Sequence, residues 1–209
     1  RPNVVDILDE DLNPNEADIK RGIFHSKGCE CDYIFAAKRP RFMTQIPAEF
    51  YANLIQKLRE MYDYILIDTS VNYLDPLLGK VAYPIADKIV FVTDMGISSI
   101  FGMKRWIIEN TGDETGEGPN LDPDSIGIVV NKVIQDVNMD VDKIQAAATP
   151  IQILTMLPSA TGLILYAANT CSLDQVLNYP VINRAIKRLA DSIVIPDGNK
   201  LEEVPMKEY

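Results

Sequence analysis

The sequence has no long hydrophobic run and few cysteines. Its apolar runs, such as residues 89–92 (IVFV), have only the length of a β-strand, whereas a membrane-spanning helix needs about 20 apolar residues. The three cysteines are an odd and small number, which argues for a reducing compartment rather than a disulfide framework. The first residues do not have the pattern of a secretion signal. Together these absences predict a cytoplasmic protein.

Positive charge is also scarce, since the formal net charge is −10 and the sequence pI is about 4.6. Such a surface repels nucleic acid and anionic lipid unless a basic patch overrides it. The last predicted helix carries Arg184, Lys187 and Arg188, which we interpret as a solvated face, so nucleic acid is not an expected partner. The tail at 197–209 is acidic and contains a proline, and we expect no direct membrane insertion.

What the sequence does contain is a regular alternation of apolar strands and amphipathic helices. The predicted strands are 31–37, 64–68, 88–93, 126–131 and 151–156. The predicted helices are 47–61, 74–83, 98–110 (capped by Ser98 or Ser99), 141–148, 161–169 and 181–193. Strands that are apolar on both faces and separated by helices are typical of a parallel sheet. We therefore predict an α/β fold, a mostly parallel sheet sandwiched by helices.

Polar residues follow these strands where ligands bind in open α/β sheets, outside the carboxyl ends of the strands. They lie at 68–70 (Asp-Thr-Ser), 93–96 (Thr-Asp-Met-Gly), 131–132 (Asn-Lys) and 157–159 (Leu-Pro-Ser). An acid after a buried strand suits Mg²⁺, which prefers one or two carboxylates together with waters and phosphates. It equally suits an acid that caps the following turn, and the local pattern leaves both readings of Asp68 open.

Five segments of the sequence, taken in order, carry a resemblance to a known family. They are 62–70 (YDYILIDTS), 86–106, 126–133 (IGIVVNKV), 157–176 and 179–193. They resemble the MinD/ParA family of P-loop ATPases, in which 62–70 would be the Walker B strand and the start of switch II. The resemblance extends to about residue 195, so residues 1–195 are interpreted as the carboxyl-terminal part of an ATPase domain and 196–209 as a tail. The segment 35–40 (FAAKRP) is closest in appearance to the CpaE/TadZ branch, which localises pilus and secretion machinery.

The resemblance implies a site for ATP and Mg²⁺. Asp68 would bind the metal, directly or through water, and help to order the attacking water, and Thr69 and Ser70 would begin the switch that senses the γ-phosphate. The nucleotide-binding set would be Asn131, Lys132, Leu157 and Pro158, with Asn131 on the adenine and the last two lining the base pocket. The sequence departs from the family where Met95-Gly96 stand in place of a common Pro-Glu pair.

The glycine-rich phosphate loop of such ATPases is missing from the sequence. Its one Gly-Lys pair, Gly79-Lys80, has no upstream glycine at the required spacing and is followed by Val81 rather than Ser or Thr. The fold is therefore expected to lack its first strand-loop-helix, and residues 1–10 resemble the segment that follows those elements. We expect the sequence to be part of a longer protein. On its own it would be poorly stable and would bind ATP weakly, because two apolar strands would lose a neighbour.

Two function hypotheses remain. The first is an ATPase that forms a nucleotide-dependent homodimer, hydrolyses ATP slowly, and positions pilus, secretion or partition machinery at a cell pole or a membrane-associated assembly. The second is a scaffold of the same fold that localises partners without ATP turnover.

A metal site at His25, Cys29 and Cys31 is disfavoured, because three ligands at this tight spacing do not match a zinc site. A receiver-like or flavodoxin-like domain is also disfavoured, because it needs an early acidic pocket or a phosphate loop and the sequence has neither.

Overall fold

A computed structural model describes most of the chain and divides it into two compact units. The described residues are 1–8, 12–26, 31–39, 42, 45–69, 81–112, 119–134, 141–170, 176 and 178–194. The first unit is Arg1–Ala86 and the second is Asp87–Tyr209. The predicted helix at 74–83 lies largely, and the tail at 196–209 wholly, outside the described residues.

The first unit combines helices with a two-stranded hairpin. Its elements are a 3-10 turn at Val4–Asp6, α1 Glu16–Gly22, β1 Ile23–Ser26, β2 Cys31–Ile34, α2 Ala48–Arg59 and a single helical turn, α3, at Tyr83–Ile85. Strands β1 and β2 pair antiparallel. Of these elements, α2 was predicted with nearly the right bounds and β2 with its correct start.

The core of the first unit forms around the apolar face of α2. Phe50, Leu54 and Leu58 are spaced at one helical turn each, so they fall on one face, and all three are buried. They pack with the fully buried Ile7 and Ile19 from the amino-terminal part of the unit. This apolar cluster, rather than the small hairpin, holds the unit together.

The predicted strand at 64–68 is wrong. Residues 64–69 form no strand pairing in the described part of the chain, and only Ile65 packs against the core of the first unit. Tyr64 is 63% exposed and Leu66 is 90% exposed. A strand is stable only when its backbone groups pair with a neighbour, and an apolar sequence cannot supply that neighbour itself.

The second unit is a parallel three-stranded sheet flanked by helices. In chain order it consists of β3 Ile89–Thr93, α4 Ile97–Thr111, a 3-10 turn at Pro123–Ser125, β4 Ile126–Val133, α5 Val141–Ala148, β5 Gln152–Pro158, α6 Thr161–Asn169 and α7 Pro180–Val194. The strand order is β3-β4-β5 and both pairings are parallel. The predicted α/β fold class is therefore confirmed.

The centre of this sheet is packed tightly because β4 is buried on both faces. Residues 126–130 are all buried, as expected for a central parallel strand. Gly127 lies so close to Leu154 of β5 that a Cβ at position 127 would come within 2.5 Å of the Leu154 Cγ. On β3, Phe91 contacts Trp106 of α4 with ring centroids 4.8 Å apart. Helix α4 packs against β3 and α5, and α7 packs against β5.

Two predicted helix boundaries differ from the structure. Helix α4 begins at Ile97 after Gly96, so Ser98 and Ser99 lie in its first turn rather than at the cap. The predicted end of the helix at 74–83 also differs, because the single turn α3 continues through Pro84 to Ile85. Proline is tolerated there because the first N–H groups of a helix have no helical partner. No helix among the described residues is both long and apolar enough to cross a membrane.

Candidate functional site

Polar residues of the second unit gather where β3 and β4 end. Thr93 of β3 is paired with Val130 of β4 in the parallel register. Asp94 directly follows Thr93, and Asn131 directly follows Val130. Both residues therefore lie at the same edge of the sheet. The carboxyl ends of parallel strands are where α/β sheets bind ligands, and here a carboxylate and an amide follow neighbouring strands.

Asp94 is held in place by the start of α4. The Gly96 backbone N–H donates to Asp94 Oδ1 at 2.8 Å. Hydrogen bonds from the Ser99 hydroxyl and from Gly96 lower the pKa of Asp94 below its ordinary value, and the Lys132 ammonium lowers it further. Asp94 is therefore a fixed, ionised acceptor. Asp94 was among the polar residues predicted to follow the strands but not among the predicted site residues, although an acid two residues before a glycine is the signature of a local side-chain turn.

Glycine at position 96 leaves space for this arrangement. A Cβ there would lie 2.9 Å from Asp94 Oδ1, so a larger residue would force the Asp94 carboxylate to shift. The Asp94 carboxylate thus occupies the space in which a side chain of residue 96 would begin.

Asn131 and Lys132 form a turn at the end of β4. The Lys132 backbone N–H donates to Asn131 Oδ1 at 2.8 Å. Lys132 has φ 55°, a left-handed conformation that is uncommon for a residue with a side chain. With one bond accepted by its carbonyl oxygen, Asn131 still has its Nδ2 hydrogens and a second Oδ1 lone pair for a ligand. Lys132 itself is exposed.

The end of β5 supplies an apolar wall next to this turn. Pro158 is paired with Val133 of β4, and the Ser159 N–H donates to the Val133 carbonyl at 2.8 Å. Leu157 and Pro158 are both half-buried. The structure therefore brings Asn131, Lys132, Leu157 and Pro158 to one edge of the second unit's sheet.

The remaining predicted site residues are in the first unit. Asp68 and Thr69 are exposed, and no hydrogen bond or ion pair joins either of them to another residue in the described part of the chain. Ser70 lies outside the described residues. Oxygen ligands such as the Asp68 carboxylate suit Mg²⁺, but the metal role of Asp68 remains a prediction.

The residues at the edge of the second unit fit the nucleoside part of a nucleotide. They combine an apolar wall with one amide donor and one carboxylate acceptor, the usual composition of a small-molecule site. Groups that could hold the phosphates are not among them, since the sequence has no glycine-rich loop with lysine and threonine or serine.

The hairpin of the first unit contains a second polar cluster, His25, Asp32 and Tyr62. His25 Nδ1 lies 2.7 Å from Asp32 Oδ1, and the Tyr62 hydroxyl donates to Asp32 Oδ2 at 2.5 Å. Burial and then the bond to Asp32 raise the pKa of Tyr62 to about 12, while Tyr62 first and His25 second lower the pKa of Asp32. This cluster joins the hairpin to the residues after α2.

The cluster does not extend to the cysteines that sequence reasoning weighed as metal ligands. Cys31 pairs with Ser26, one position along from the His25–Asp32 pair, so its side chain is on the opposite face of the hairpin. Cys29 lies outside the described residues. Within the described ranges no three His, Cys, Asp or Glu side chains form a group that could hold a metal ion.

Comparison with known proteins places the fold among ParA-type and MinD-type ATPases. Neither family models nor curated proteins gave a match. Among solved structures the chain is similar to a ParA family ATPase from Chlorobium tepidum TLS, with a TM-score of 0.71 and 17% identity over 91% of this chain and 75% of that one.

The chain is also similar to the MinD cell division protein of Aquifex aeolicus, with a TM-score of 0.66 and 16% identity over 96% of this chain and 78% of that one. A complex of MinC with MinD from the same organism gives a TM-score of 0.66 and 16% identity over 96% and 76% of the two chains. At such low identity these likenesses establish the fold that the sequence resemblance implied.

Proposed function

We propose that the chain belongs to an ATP-dependent spatial switch of the MinD/ParA type. The observation that carries this proposal is the edge of the second unit's sheet, where an amide, a fixed carboxylate and an apolar wall meet at the carboxyl ends of parallel strands. The shared fold with ParA and MinD ATPases supports it. Asn131 would hydrogen-bond the base, Leu157 and Pro158 would line it, and Lys132 would lie beside it.

The sequence contains no glycine-rich loop with lysine to hold the phosphate end of the nucleotide. Asp68 would hold Mg²⁺ and orient water, with Thr69 and Ser70 at the start of the switch. A bound Mg²⁺ would supply positive charge for the phosphates. The P-loop lysine and its glycine-rich loop would come from another part of the intact protein, so residues 1–209 alone are expected to bind ATP weakly.

Two segments with an open strand edge among the described residues support the proposal of a further strand. Within the described residues β3 has a strand neighbour on one side only, and Val92 on this strand is 58% exposed. Residues 64–69 have no strand neighbour there at all. Unpaired apolar segments of this kind gain hydrogen bonds and burial when a strand is added. The P-loop strand that the resemblance implies is such an added strand.

The biological role remains a finer proposal. A nucleotide-dependent homodimer is expected to recruit pilus-assembly or secretion proteins, or partition machinery, in the cytoplasm at a pole or at a membrane-associated assembly. The similar MinD was solved in complex with MinC, so protein partners suit this fold. The acidic net charge of −10 argues against nucleic acid as a partner.

A second candidate is a scaffold of the same fold that binds partners without turning ATP over. It is favoured by one observation, namely that Asp68 is exposed and has no partner that would hold it in a catalytic position among the described residues. In this candidate the edge of the second unit's sheet could still bind nucleotide while hydrolysis is absent.

The test is Asp68→Ala in the intact protein, with ATP binding and ATP turnover measured separately. If Asp68 holds the metal, turnover should fall about 100-fold or more, the size of loss seen when a key stabilising group is removed. Asp63→Ala is the matched control, because Asp63 is an exposed acid five residues earlier. Unchanged turnover in Asp68→Ala would contradict the assigned role. ATP binding without turnover in the unmodified protein would favour the scaffold, and no ATP binding would overturn the proposed function.

A further inference from the structure

Helix α6 exposes apolar side chains where a surface helix normally carries charge. Ile164, Leu165 and Tyr166 are 46%, 57% and 60% exposed, and Ala167 is the one buried residue of the helix. The helix contains no charged residue, and it belongs to a run at 144–173 that has none either, although 24% of the whole sequence is charged. Burial in the sheet accounts for this in β5, but not in α6. Exposed apolar patches without charge are typical of interaction surfaces.

We propose that two copies of this chain associate through the exposed face of α6 to form the homodimer of the proposed switch. This inference rests on the proposed function, in which the dimer depends on nucleotide. The α6 face consists of Thr161, Ile164, Leu165 and Ala168, which are all exposed. Their i, i+3, i+4, i+7 spacing places them on one side of the helix.

The order of residues along the α6 face suits a second copy of itself. In a two-fold symmetric interface, residue i of one copy contacts residue j of the other, and residue j contacts residue i. Two antiparallel α6 helices related by an axis between Ile164 and Leu165 would bring these two large side chains together at the centre. The same axis would bring the small residues Thr161 and Ala168 together at each end, because both pairs share one midpoint in the sequence.

Charge favours the α6 face over the exposed apolar face of α4 as a self-association surface. On α4, Ile97, Phe101 and Ile108 are 66%, 67% and 55% exposed, but the exposed Lys104 lies among them near the middle of that face. Pairing two α4 faces would therefore bring two ammonium groups close together, whereas α6 has no charge to oppose. Because each copy has a net charge of −10, association is least opposed at an uncharged surface.

The α6 face also adjoins the edge of the sheet where the nucleotide is proposed to bind. Strand β5 ends at Pro158, and only Ser159 and Ala160 separate it from the start of α6. The Ser159 N–H donates to the Val133 carbonyl at 2.8 Å, which attaches this connection to the end of β4. A nucleotide held against Leu157 and Pro158 would thus act within a few residues of the dimer surface, and this gives dimerisation a route to depend on nucleotide.

The experiment measures dimerisation of the intact protein by sedimentation equilibrium, with and without ATP and Mg²⁺, and measures ATP binding separately by calorimetry. The variant is Leu165→Lys, which places a charge at the centre of the α6 face. It makes each copy less negative, so the general repulsion between copies falls and any loss of dimer must come from the surface itself. The control is Ile108→Lys, because Ile108 and Leu165 are 55% and 57% exposed and the change of charge is the same.

The unmodified protein and Ile108→Lys should form dimers when ATP is added. In Leu165→Lys the dissociation constant of the dimer should rise about 30-fold or more, the loss typical of a side chain at the centre of an interface. ATP binding under monomeric conditions and the melting temperature should stay unchanged, because Leu165 is a surface residue.

Three results would overturn the inference while leaving nucleotide binding in place. They are an ATP-bound protein that stays monomeric, a dimer that persists unchanged in Leu165→Lys, and a dimer that is weakened equally in Ile108→Lys. An unmodified protein that binds no ATP would instead refute the proposed function, on which this inference rests.

Discussion

At the scale of single residues, Asp94 and Asp32 are two of the carboxylates with lowered pKa values, and they stabilise different parts of the chain. Asp94 is bonded to groups within its own turn, so it fixes the start of α4. Asp32 is bonded to His25, seven residues earlier, and to Tyr62, 30 residues later. It therefore links segments that are far apart in sequence. Removal of the Tyr62 hydroxyl is thus expected to lower the stability of the first unit.

Tyr62→Phe should weaken the first unit by about 0.5 kcal/mol, since it removes one hydrogen bond that is partly screened by solvent. The bond lowers the pKa of Asp32 from its ordinary 3.8, so this contribution is present above that value and is lost as the pH falls through the lower folded value. The pKa of Tyr62 is raised from 10.0 to about 12, so the bond persists below pH 10 and is lost as the pH rises through about 12.

Urea titrations at several pH values, followed by circular dichroism, would measure this difference. Tyr64→Phe is the control, because Tyr64 is 63% exposed and its hydroxyl has no partner among the described residues. A Tyr62→Phe protein whose loss of stability is the same at pH 3 and pH 7 would contradict the assigned role of the Asp32 bond.

At the scale of elements, the sequence predicted the second unit better than the first. Strands such as β4 are apolar on both faces and lie between clear helices, so burial alone identifies them. Helix α1 and strand β1 were missed because they are only seven and four residues long. The strand predicted at 64–68 was wrong because strand formation depends on a partner elsewhere. Asp94 was predicted to follow a strand but was not predicted as a site residue, for a related reason: its role depends on its hydrogen bond from Gly96 and on the charge of Lys132.

The sheet of the second unit depends on the contact between Gly127 and Leu154. Gly127→Ala should destabilise this unit by about 1–3 kcal/mol, the usual cost of overpacking. The reason is that the new Cβ would overlap the branch point and both methyl groups of the Leu154 side chain. Gly102→Ala in α4 is the matched control, because a Cβ there meets nothing within 4 Å. Thermal unfolding followed by tryptophan fluorescence measures both, and equal melting temperatures for Gly127→Ala and the unmodified chain would contradict the prediction.

At the scale of the whole molecule, the chain has two compact units, each with its own buried residues. The core of the first includes Phe50, and that of the second includes Met103 and Trp106, the one tryptophan of the sequence. Tryptophan emission therefore reports on the second unit, whereas helical circular dichroism reports on both.

Phe50→Ala should remove about 3–5 kcal/mol from the first unit, because Phe50 is fully buried. We expect the urea transition seen by circular dichroism to begin earlier while the midpoint of Trp106 fluorescence stays unchanged. Met103→Ala, at another fully buried position, should instead move the fluorescence midpoint. Equal shifts of both signals in Phe50→Ala would show that the units unfold as one cooperative body.

The exposed apolar run at 64–67 has a consequence for the behaviour of the purified chain. Tyr64, Leu66 and Ile67 are exposed, and their segment has no strand neighbour in the described part of the chain. Short apolar segments of high β-propensity are the kind that stack between molecules into ordered fibrils. Mutual repulsion from a net charge of −10 opposes such stacking, and salt weakens that repulsion. The colloidal stability of this chain therefore depends on two opposing interactions, the stacking of this one short segment and the electrostatic repulsion between whole molecules. Ionic strength shifts the balance between them.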